Sequence, residues 1–132
     1  MTGELSADSG FPKSKRLLKH ADFRRVYDHG RRQFTGNMTV FFLRRPGAVG
    51  QSSGIRVGLT VGKVLGGAVE RNRIKRRMRE AIRLSWQACD APVDVVFNPR
   101  KSVLTQPFAE LCNEVTRGLK LAIQRARPVE AK

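Results

Sequence analysis

The sequence predicts an α+β or α/β sandwich in which a small β-sheet is packed by three helices. Residues 55–61 (IRVGLTV) alternate apolar side chains with others, which is the pattern of a half-buried strand. Residues 70–86 repeat apolar side chains at helical spacing, and a second long helical pattern begins at Phe108. Helical and strand patterns therefore alternate along the chain.

A short first helix is predicted before the sheet. Phe23, Val26 and Tyr27 recur at i, i+3 and i+4, so their side chains share one face of a helix. Gly30 follows at the position where glycine commonly ends a helix. This helix would present two aromatic rings, one turn apart, to the same neighbour.

Three strands are predicted. Residues 37–45 (NMTVFFLRR) are rich in β-branched and aromatic side chains, and a polar turn over 46–54 separates them from the strand at 55–61. We expect these two strands to form an antiparallel pair. A third strand starts at Pro92, alternates through Phe97 and is stopped by Asn98-Pro99.

Two long helices complete the set of elements. The helix over 70–86 has an apolar stripe formed by Ile74, Met78, Ala81, Ile82 and Ser85. The last helix runs from Phe108 to Arg127-Pro128, with a stripe formed by Leu111, Cys112, Val115, Leu119, Ala122 and Ile123. Cys112 is accordingly expected to be a buried thiol rather than a metal ligand.

The chain is expected to form a single domain. Its 132 residues suit one core, with tails at 1–10 and 127–132 and one α/β domain over 11–126. No apolar run approaches the ~18 residues that a membrane span needs, and the first ten residues contain no signal-peptide core. We therefore expect a cytoplasmic protein with no membrane partner.

The charge balance indicates a polyanionic partner. The chain has 26 Lys and Arg against 11 Asp and Glu, a formal net charge of +15. Self-repulsion opposes folding such a charge into a compact body, and nucleic acid is the commonest partner that compensates for it. On charge alone an acidic membrane surface is the second possibility, and nucleic acid is the one we expect.

The helix over 70–86 offers a surface for such a partner. Asn72, Arg76, Arg79 and Arg83 follow one another at spacings of 4, 3 and 4, opposite the apolar stripe, and Arg73 and Lys75 flank them. Guanidinium groups donate bidentate hydrogen bonds to phosphate, so this row suits an RNA backbone. A solvated face with tolerated cations is the alternative, but such faces normally mix signs, and here only Glu70 and Glu80 are available.

Aromatic rings beside basic groups form a second candidate surface. Phe23, Tyr27 and Phe41 could stack unpaired bases while Arg56 and Lys63 hold phosphates. The residues alone favour another interpretation, in which these rings are ordinary core between helix and sheet.

No catalytic or metal-binding constellation is visible. GLTVGK (58–63) lacks the spacing of a nucleotide-binding P-loop. The acidic residues are scattered, and His20 and His29 have no evident nucleophile or orienting acid nearby. We expect no catalytic residues and no metal ligands, so that the chain contributes to any reaction by binding.

Residues 56–83 (RVGLTVGKVLGGAVERNRIKRRMREAIR) closely resemble the signature region of the bacterial ribonuclease P protein component, with Arg71-Asn72-Arg73 as its hallmark. Residues 15–30 (KRLLKHADFRRVYDHG) and 94–100 (DVVFNPR) are similar to the family's first helix and late strand. The resemblance covers about residues 11 to 125.

The resemblance implies a fold and a function. The fold would be an α+β two-layer sandwich, a small mixed β-sheet packed by three helices with a left-handed β-α-β crossover. The protein would be a subunit of ribonuclease P, an endonuclease whose catalytic RNA uses Mg²⁺ to remove the 5′ leader of precursor tRNA. It would be inactive alone and would form a 1:1 complex as a monomer.

The resemblance also assigns residues. Arg71, Asn72, Arg73, Lys75 and Arg76 would dock on the RNA subunit, with Arg79 and Arg83 continuing that row. Phe23, Tyr27 and Phe41 would line the cleft for the single-stranded leader, which reverses the preference for ordinary core. Two other functions stay open: a ribosomal-protein-like structural RNA-binding protein or RNA chaperone, and a self-sufficient metal-dependent nuclease, which the scattered acids disfavour.

Overall fold

A computed structural model describes residue 16 and residues 19–45, 54–86 and 91–126. Within these ranges the elements are α1 (His20–His29), β1 (Arg31–Phe34), β2 (Met38–Arg44), β3 (Arg56–Leu59), α2 (Ala68–Ser85), β4 (Val93–Pro99) and α3 (Phe108–Arg125), with 3₁₀ turns at Lys63–Leu65 and Lys101–Leu104. The predicted tails at 1–10 and 127–132, and nearly all of the predicted turn at 46–54, lie outside the described residues.

The four described strands form one mixed sheet in the order β1-β2-β4-β3. β4 pairs antiparallel with β2 and parallel with β3, so β3, α2 and β4 form a β-α-β crossover. The expected antiparallel pairing of β2 with β3 is wrong, because β4 lies between them. All five residues from Val93 to Phe97 are buried, as a central strand covered on both faces requires.

β1 is the element that the sequence patterns did not indicate. Its four residues, RRQF, have one half-buried side chain and three exposed ones, so they carry little strand signal. β1 forms by pairing antiparallel with β2 at the sheet edge, across a turn in which Gly36 adopts φ 102°. Tertiary pairing rather than local pattern therefore determines this strand.

The main core lies between the sheet, α2 and α3. It includes Met38, Val40 and Phe42 of β2, Val93, Val95 and Phe97 of β4, and Leu111, Val115, Leu119 and Ala122 of α3. The residues predicted to form the buried stripe of α2 (Ile74, Met78, Ala81, Ile82 and Ser85) are those that the structure buries. Glu70 accepts a hydrogen bond from the Gly67 N–H (2.9 Å) and thereby caps the start of α2.

The first helix packs on the opposite face of the sheet. Val26 of α1 meets Val96 of β4 in a second, smaller cluster. Gly30 ends α1 as predicted, and its N–H bonds the Val26 carbonyl (2.8 Å). A side chain there would collide with the carbonyl oxygens of Val26 and Phe42, so glycine permits the close passage from α1 into β1.

The predicted α+β class, with a small mixed sheet, three helices and a β-α-β crossover, is confirmed. The sheet with α2 and α3 forms the two main layers, and α1 lies against the other face. The handedness of the crossover stays a prediction of the resemblance.

Candidate nucleic-acid interface

The outward side of α2 carries the basic row that its periodicity predicts, and we call this row the basic strip. Its members are Asn72, Arg73, Arg76 and Arg79, which are exposed, and Lys75 and Arg83, which are half-buried. Because the opposite stripe of α2 is buried in the core, the strip is held on a rigid element rather than on a loop. Such a row can donate to several phosphates at once.

The cations at the edges of the basic strip have partners within the protein. Arg83 pairs with Glu80 one turn earlier through its Nη2 and, at 3.1 Å, its Nε. The hydrogen bond from Arg83 lowers the pKa of the Glu80 carboxyl, and the same bond raises the pKa of Arg83. Arg71, which precedes the strip, donates to the Gly66 carbonyl (3.2 Å).

Arg77 has a structural role that the basic strip residues do not share. It donates to the carbonyl oxygens of Val103 (3.0 Å) and Gln106, and its guanidinium lies 5.9 Å from the ring centroid of Phe108. These contacts tie α2 to the segment that leads into α3. Basic residues that are adjacent in sequence therefore divide into an exposed set and one that holds the fold together.

The three predicted rings come together on the α1 side of the sheet, and we call this group the ring cleft. Tyr27 and Phe41 meet edge to face, with centroids 4.8 Å apart and planes at 89°. Phe23 packs against the same small cluster, and all three side chains are half-buried. The rings thus complete the core under α1 and also present part of their surface to solvent.

Polar contacts fix the orientation of Tyr27. Its hydroxyl is hydrogen bonded to the Thr60 hydroxyl (2.7 Å) and donates to Oδ1 of Asn98 (3.1 Å). Thr60 follows β3 and Asn98 lies on β4, so one phenol bridges the helix and two strands. A ring held in this way keeps its stacking face in one position.

Next to the ring cleft, a buried carboxylate gathers three arginines, which we call the Asp94 cluster. Asp94 is 0% exposed. It accepts hydrogen bonds from Arg25 (2.9 Å), from Arg45 (2.6 Å) and, through both oxygens, from Arg56 (2.9 and 2.8 Å). Asp22 adds a second carboxylate, 3.6 Å from Arg25 and 3.7 Å from Arg56.

Two predicted leader contacts, Arg56 and Lys63, have different surroundings. Arg56 is committed to Asp94, and this hydrogen bond raises its pKa above the ordinary arginine value. Its side chain is one quarter exposed, so it is not fully withdrawn from solvent. Lys63 is exposed in the 3₁₀ turn that follows β3 and lies outside the packed ring cluster.

Asp94, Arg25 and Arg45 are the site residues that the sequence reasoning missed. The available signal was an acidic residue inside an apolar strand, VDVVF, where an unpaired charge would be very unfavourable. Such a residue indicates a buried cationic partner. Which arginines supply it depends on the β2-β4-β3 strand order, which the sequence did not reveal.

The residues that the structure describes offer no cluster for a metal ion and no helix for a membrane span. Among them, no group of three or more His, Cys, Asp or Glu side chains is placed to hold a metal ion. No helix in the same ranges is both long enough and apolar enough to cross a membrane. Cys112 is half-buried, and burial raises the pKa of its thiol. Cys89 lies outside the described residues.

Comparisons with known proteins agree with this architecture. Residues 11–122 match the family model for ribonuclease P. The ribonuclease P protein component of Exiguobacterium sp. is 40% identical over 117 residues, which cover 87% of this chain and 92% of that protein. That of Chloroflexus aggregans is 35% identical over 117 residues, covering 88% and 83%.

Solved structures give the same result. The Staphylococcus aureus RNase P protein aligns with a TM-score of 0.68 at 28% identity, covering 83% of this chain and 96% of that one. The Thermotoga maritima RNase P protein, at 24% identity and a TM-score of 0.68, supports the fold alone; the alignment covers 80% of this chain and 96% of that one. This chain belongs to the ribonuclease P protein component family.

Proposed function

We propose that this chain binds the catalytic RNA of ribonuclease P through the basic strip and the 5′ leader of precursor tRNA through the ring cleft. It acts as a cytoplasmic monomer in a 1:1 complex with that RNA. The observation that carries the proposal is the location of the two surfaces, which belong to opposite sides of the sheet. One small domain can therefore contact both RNAs at once.

The basic strip supports the part of the proposal that concerns the catalytic RNA. Asn72, Arg73, Arg76 and Arg79 are exposed on a helix that is anchored in the core from Ile74 to Ser85. A folded RNA presents phosphates in fixed positions, and a rigid row of donors binds them with little loss of side-chain freedom. A flexible leader gives no such array.

The ring cleft supports the part that concerns the leader. Edge-to-face packing leaves part of each ring of the Tyr27–Phe41 pair open to solvent, and unpaired bases stack on such surfaces regardless of sequence. Arg25 and Arg56 lie beside the rings, partly exposed, and can approach the leader backbone from within the Asp94 cluster.

We further propose that the RNA subunit and the substrate hold the Mg²⁺ and that this chain is inactive by itself. The carboxylates nearest the ring cleft, Asp22 and Asp94, already face arginines, so they do not fit a cation site. No step of the cleavage is assigned to a side chain of this protein. Its contribution is to position the leader and to neutralise phosphate charge that Mg²⁺ would otherwise have to screen.

Reconstitution with the cognate RNA tests this division of labour. The complex is expected to cleave a leader-bearing precursor tRNA at Mg²⁺ concentrations at which the RNA alone is slow. The protein without RNA is expected to leave the substrate intact. Cleavage by the protein alone, or equal rates with and without it, contradicts the proposal. Tight association with ribosomes instead of this RNA favours a ribosomal role.

Two variants at one position separate leader binding from folding. Tyr27→Leu removes the aromatic face, whereas Tyr27→Phe keeps it and loses only the bonds to Thr60 and Asn98. We expect Leu, but not Phe, to weaken binding of precursor tRNA relative to mature tRNA, by about fivefold or more for one lost stacking contact. An equal loss for both tRNAs argues against a leader cleft.

A further inference from the structure

Phe34, the last residue of edge strand β1, is a large aromatic side chain that is 54% exposed. Two guanidinium groups flank it: the Cζ atoms of Arg32 and Arg100 lie 5.6 and 5.9 Å from the ring centroid. A phenyl ring left half in water between two cations is an unusual use of an apolar side chain in a domain with a well-filled core. We call this group the Phe34 platform.

The strand register shows which face of the sheet the platform occupies. Phe34 is paired with Thr39 and Arg32 with Phe41, so both side chains lie on the face that carries the ring cleft. Arg31, one residue away, points to the other face and donates to the carbonyl of Arg125 at the end of α3 (2.9 Å).

The platform also lies close to the ring cleft. Phe41 and Phe34 are one strand apart across the sheet and two residues apart along it, which places their Cα atoms about 8 Å from each other. The rings of the cleft and the ring of Phe34 therefore belong to one continuous surface. α1 covers its inner part, and its outer part, at β1, is open.

The two arginines of the platform are available to a ligand. Within the part of the chain that the structure describes, neither Arg32 nor Arg100 forms an ion pair, and both are exposed. Arg25, Arg45 and Arg56 differ, because the charge of Asp94 partly offsets theirs. The outer end of this face therefore carries more uncompensated positive charge than the inner end.

Hydrogen bonds hold the turn that follows the Phe34 platform. Glu114 of α3 accepts hydrogen bonds from the Thr35 hydroxyl (2.6 Å) and from the backbone and side-chain nitrogens of Asn37 (both 2.9 Å), in the turn that follows Phe34. The backbone N–H of Arg100 donates to the Asn37 carbonyl (2.8 Å). One turn therefore fixes the backbone at both Phe34 and Arg100. The backbone of the platform is thus already ordered before a ligand binds, which lowers the entropy cost of binding.

We propose that the Phe34 platform is a second base-stacking subsite for the 5′ leader of precursor tRNA, continuing the path that begins in the ring cleft. One unpaired leader base stacks on Phe34, and Arg32 and Arg100 turn from the ring to the phosphates on either side of that base. The inference rests on the proposed leader-binding function and adds to it a named position.

Continuity favours the leader over the catalytic RNA as the occupant. The platform shares its face with the ring cleft, whereas the basic strip belongs to the other side of the sheet. Stacking on a phenyl ring accepts any base, as a leader of variable sequence requires. The flanking guanidiniums complement the charge of a single strand, which brings one phosphate per nucleotide.

Binding of the reconstituted holoenzyme to precursor tRNAs with a long leader and with a two-nucleotide leader tests the proposal. Phe34→Ala is expected to weaken binding of the long-leader substrate by about fivefold or more and to leave the short-leader substrate unchanged. Phe34→Trp restores binding because it keeps a stacking face, and Phe34→Leu does not. Arg32→Gln reduces the salt dependence of long-leader binding by about one phosphate contact.

Other outcomes overturn the proposal, and they are distinguishable. If Phe34→Ala binds the long-leader substrate as the parent does, while Tyr27→Leu still discriminates by leader, the platform is not a subsite and the ring cleft stands. If neither variant discriminates, the leader-binding function itself fails. If Phe34→Ala weakens assembly with the RNA subunit without substrate, the platform belongs to that interface. Since Phe34 is more than half exposed, thermal melting of these variants is expected to match the parent.

Discussion

Neutralising Asp94 is the most direct test of what holds the β2-β4-β3 part of the sheet to α1. Asp94→Asn keeps the size of the side chain and removes the charge that three guanidiniums face. Breaking a buried ion pair by removing one partner costs about 3–5 kcal/mol. The arginine side chains are 39% (Arg25), 11% (Arg45) and 25% (Arg56) exposed, so water partly resolvates them and the lower end, about 3 kcal/mol, is expected.

Urea unfolding measures this loss. With a slope of about 2 kcal/mol/M for a domain of this size, the midpoint of Asp94→Asn is expected about 1.5 M below that of the parent. Trp86, the one tryptophan of the chain, reports the transition by its fluorescence. Trp86 packs against the main core, whereas Asp94 is bonded to Arg25 of α1 on the other face of the sheet.

Asp22→Asn is the matched control. Asp22 faces two of the same arginines, but at 3.6 and 3.7 Å and with its side chain 20% exposed, so its loss should cost less than about 1 kcal/mol. A midpoint for Asp94→Asn as high as that for Asp22→Asn would refute the reasoning. The desolvation of the buried carboxylate would then offset its attraction to the arginines.

Three other predictions concern single positions. Arg79→Ala should lower the slope of log K against log salt concentration, for binding to the RNA subunit, by about 1. Arg83→Ala should lower this slope less, because Glu80 already neutralises Arg83. The same slope for both variants would contradict this. The pKa of Glu114 is held below its ordinary value, since burial alone would raise it but the hydrogen bonds from Thr35, Asn37 and Gln106 outweigh burial. A depressed pKa stabilises the fold above the ordinary carboxyl pKa and loses this effect as the pH falls. The urea midpoints of the parent and of Glu114→Gln should therefore converge as the pH falls below the ordinary carboxyl pKa of about 4.3, and a constant gap would count against it. Gly118→Ala should destabilise the fold by about 1 kcal/mol, measured by the urea midpoint. The added methyl would lie 3.1 Å from Val40 and 3.2 Å from Phe97, and we expect the resulting strain to exceed the gain in helix propensity. A raised midpoint would disprove this.

The helices were predictable because their residues carry the information locally. Ile74, Met78 and Ile82 recur at the helical period, so spacing alone identifies the buried side of α2. The basic strip is the opposite side of the same helix. Gly30 marked the end of α1 in the same way. None of these features depends on a distant part of the chain.

Strand order was not predictable in this way. β2 and β3 are consecutive predicted strands and consecutive strands usually pair, so the expectation placed them together. The uninterrupted burial of β4 was the contrary signal, since a run such as VDVVF suits a central strand. The Asp94 cluster and the Phe34 platform both depend on strand register, and periodicity within one segment does not determine register.

The central position of β4 also has a consequence for how the chain is made. β2 and β3 leave the ribosome well before Val93, yet each of them hydrogen bonds to β4 and neither bonds to the other. A nascent chain that ends before Val93 thus has an unfinished sheet and a strongly cationic α2 without its core. We therefore expect folding to await the last third of the sequence, so that α2 becomes ordered late in synthesis.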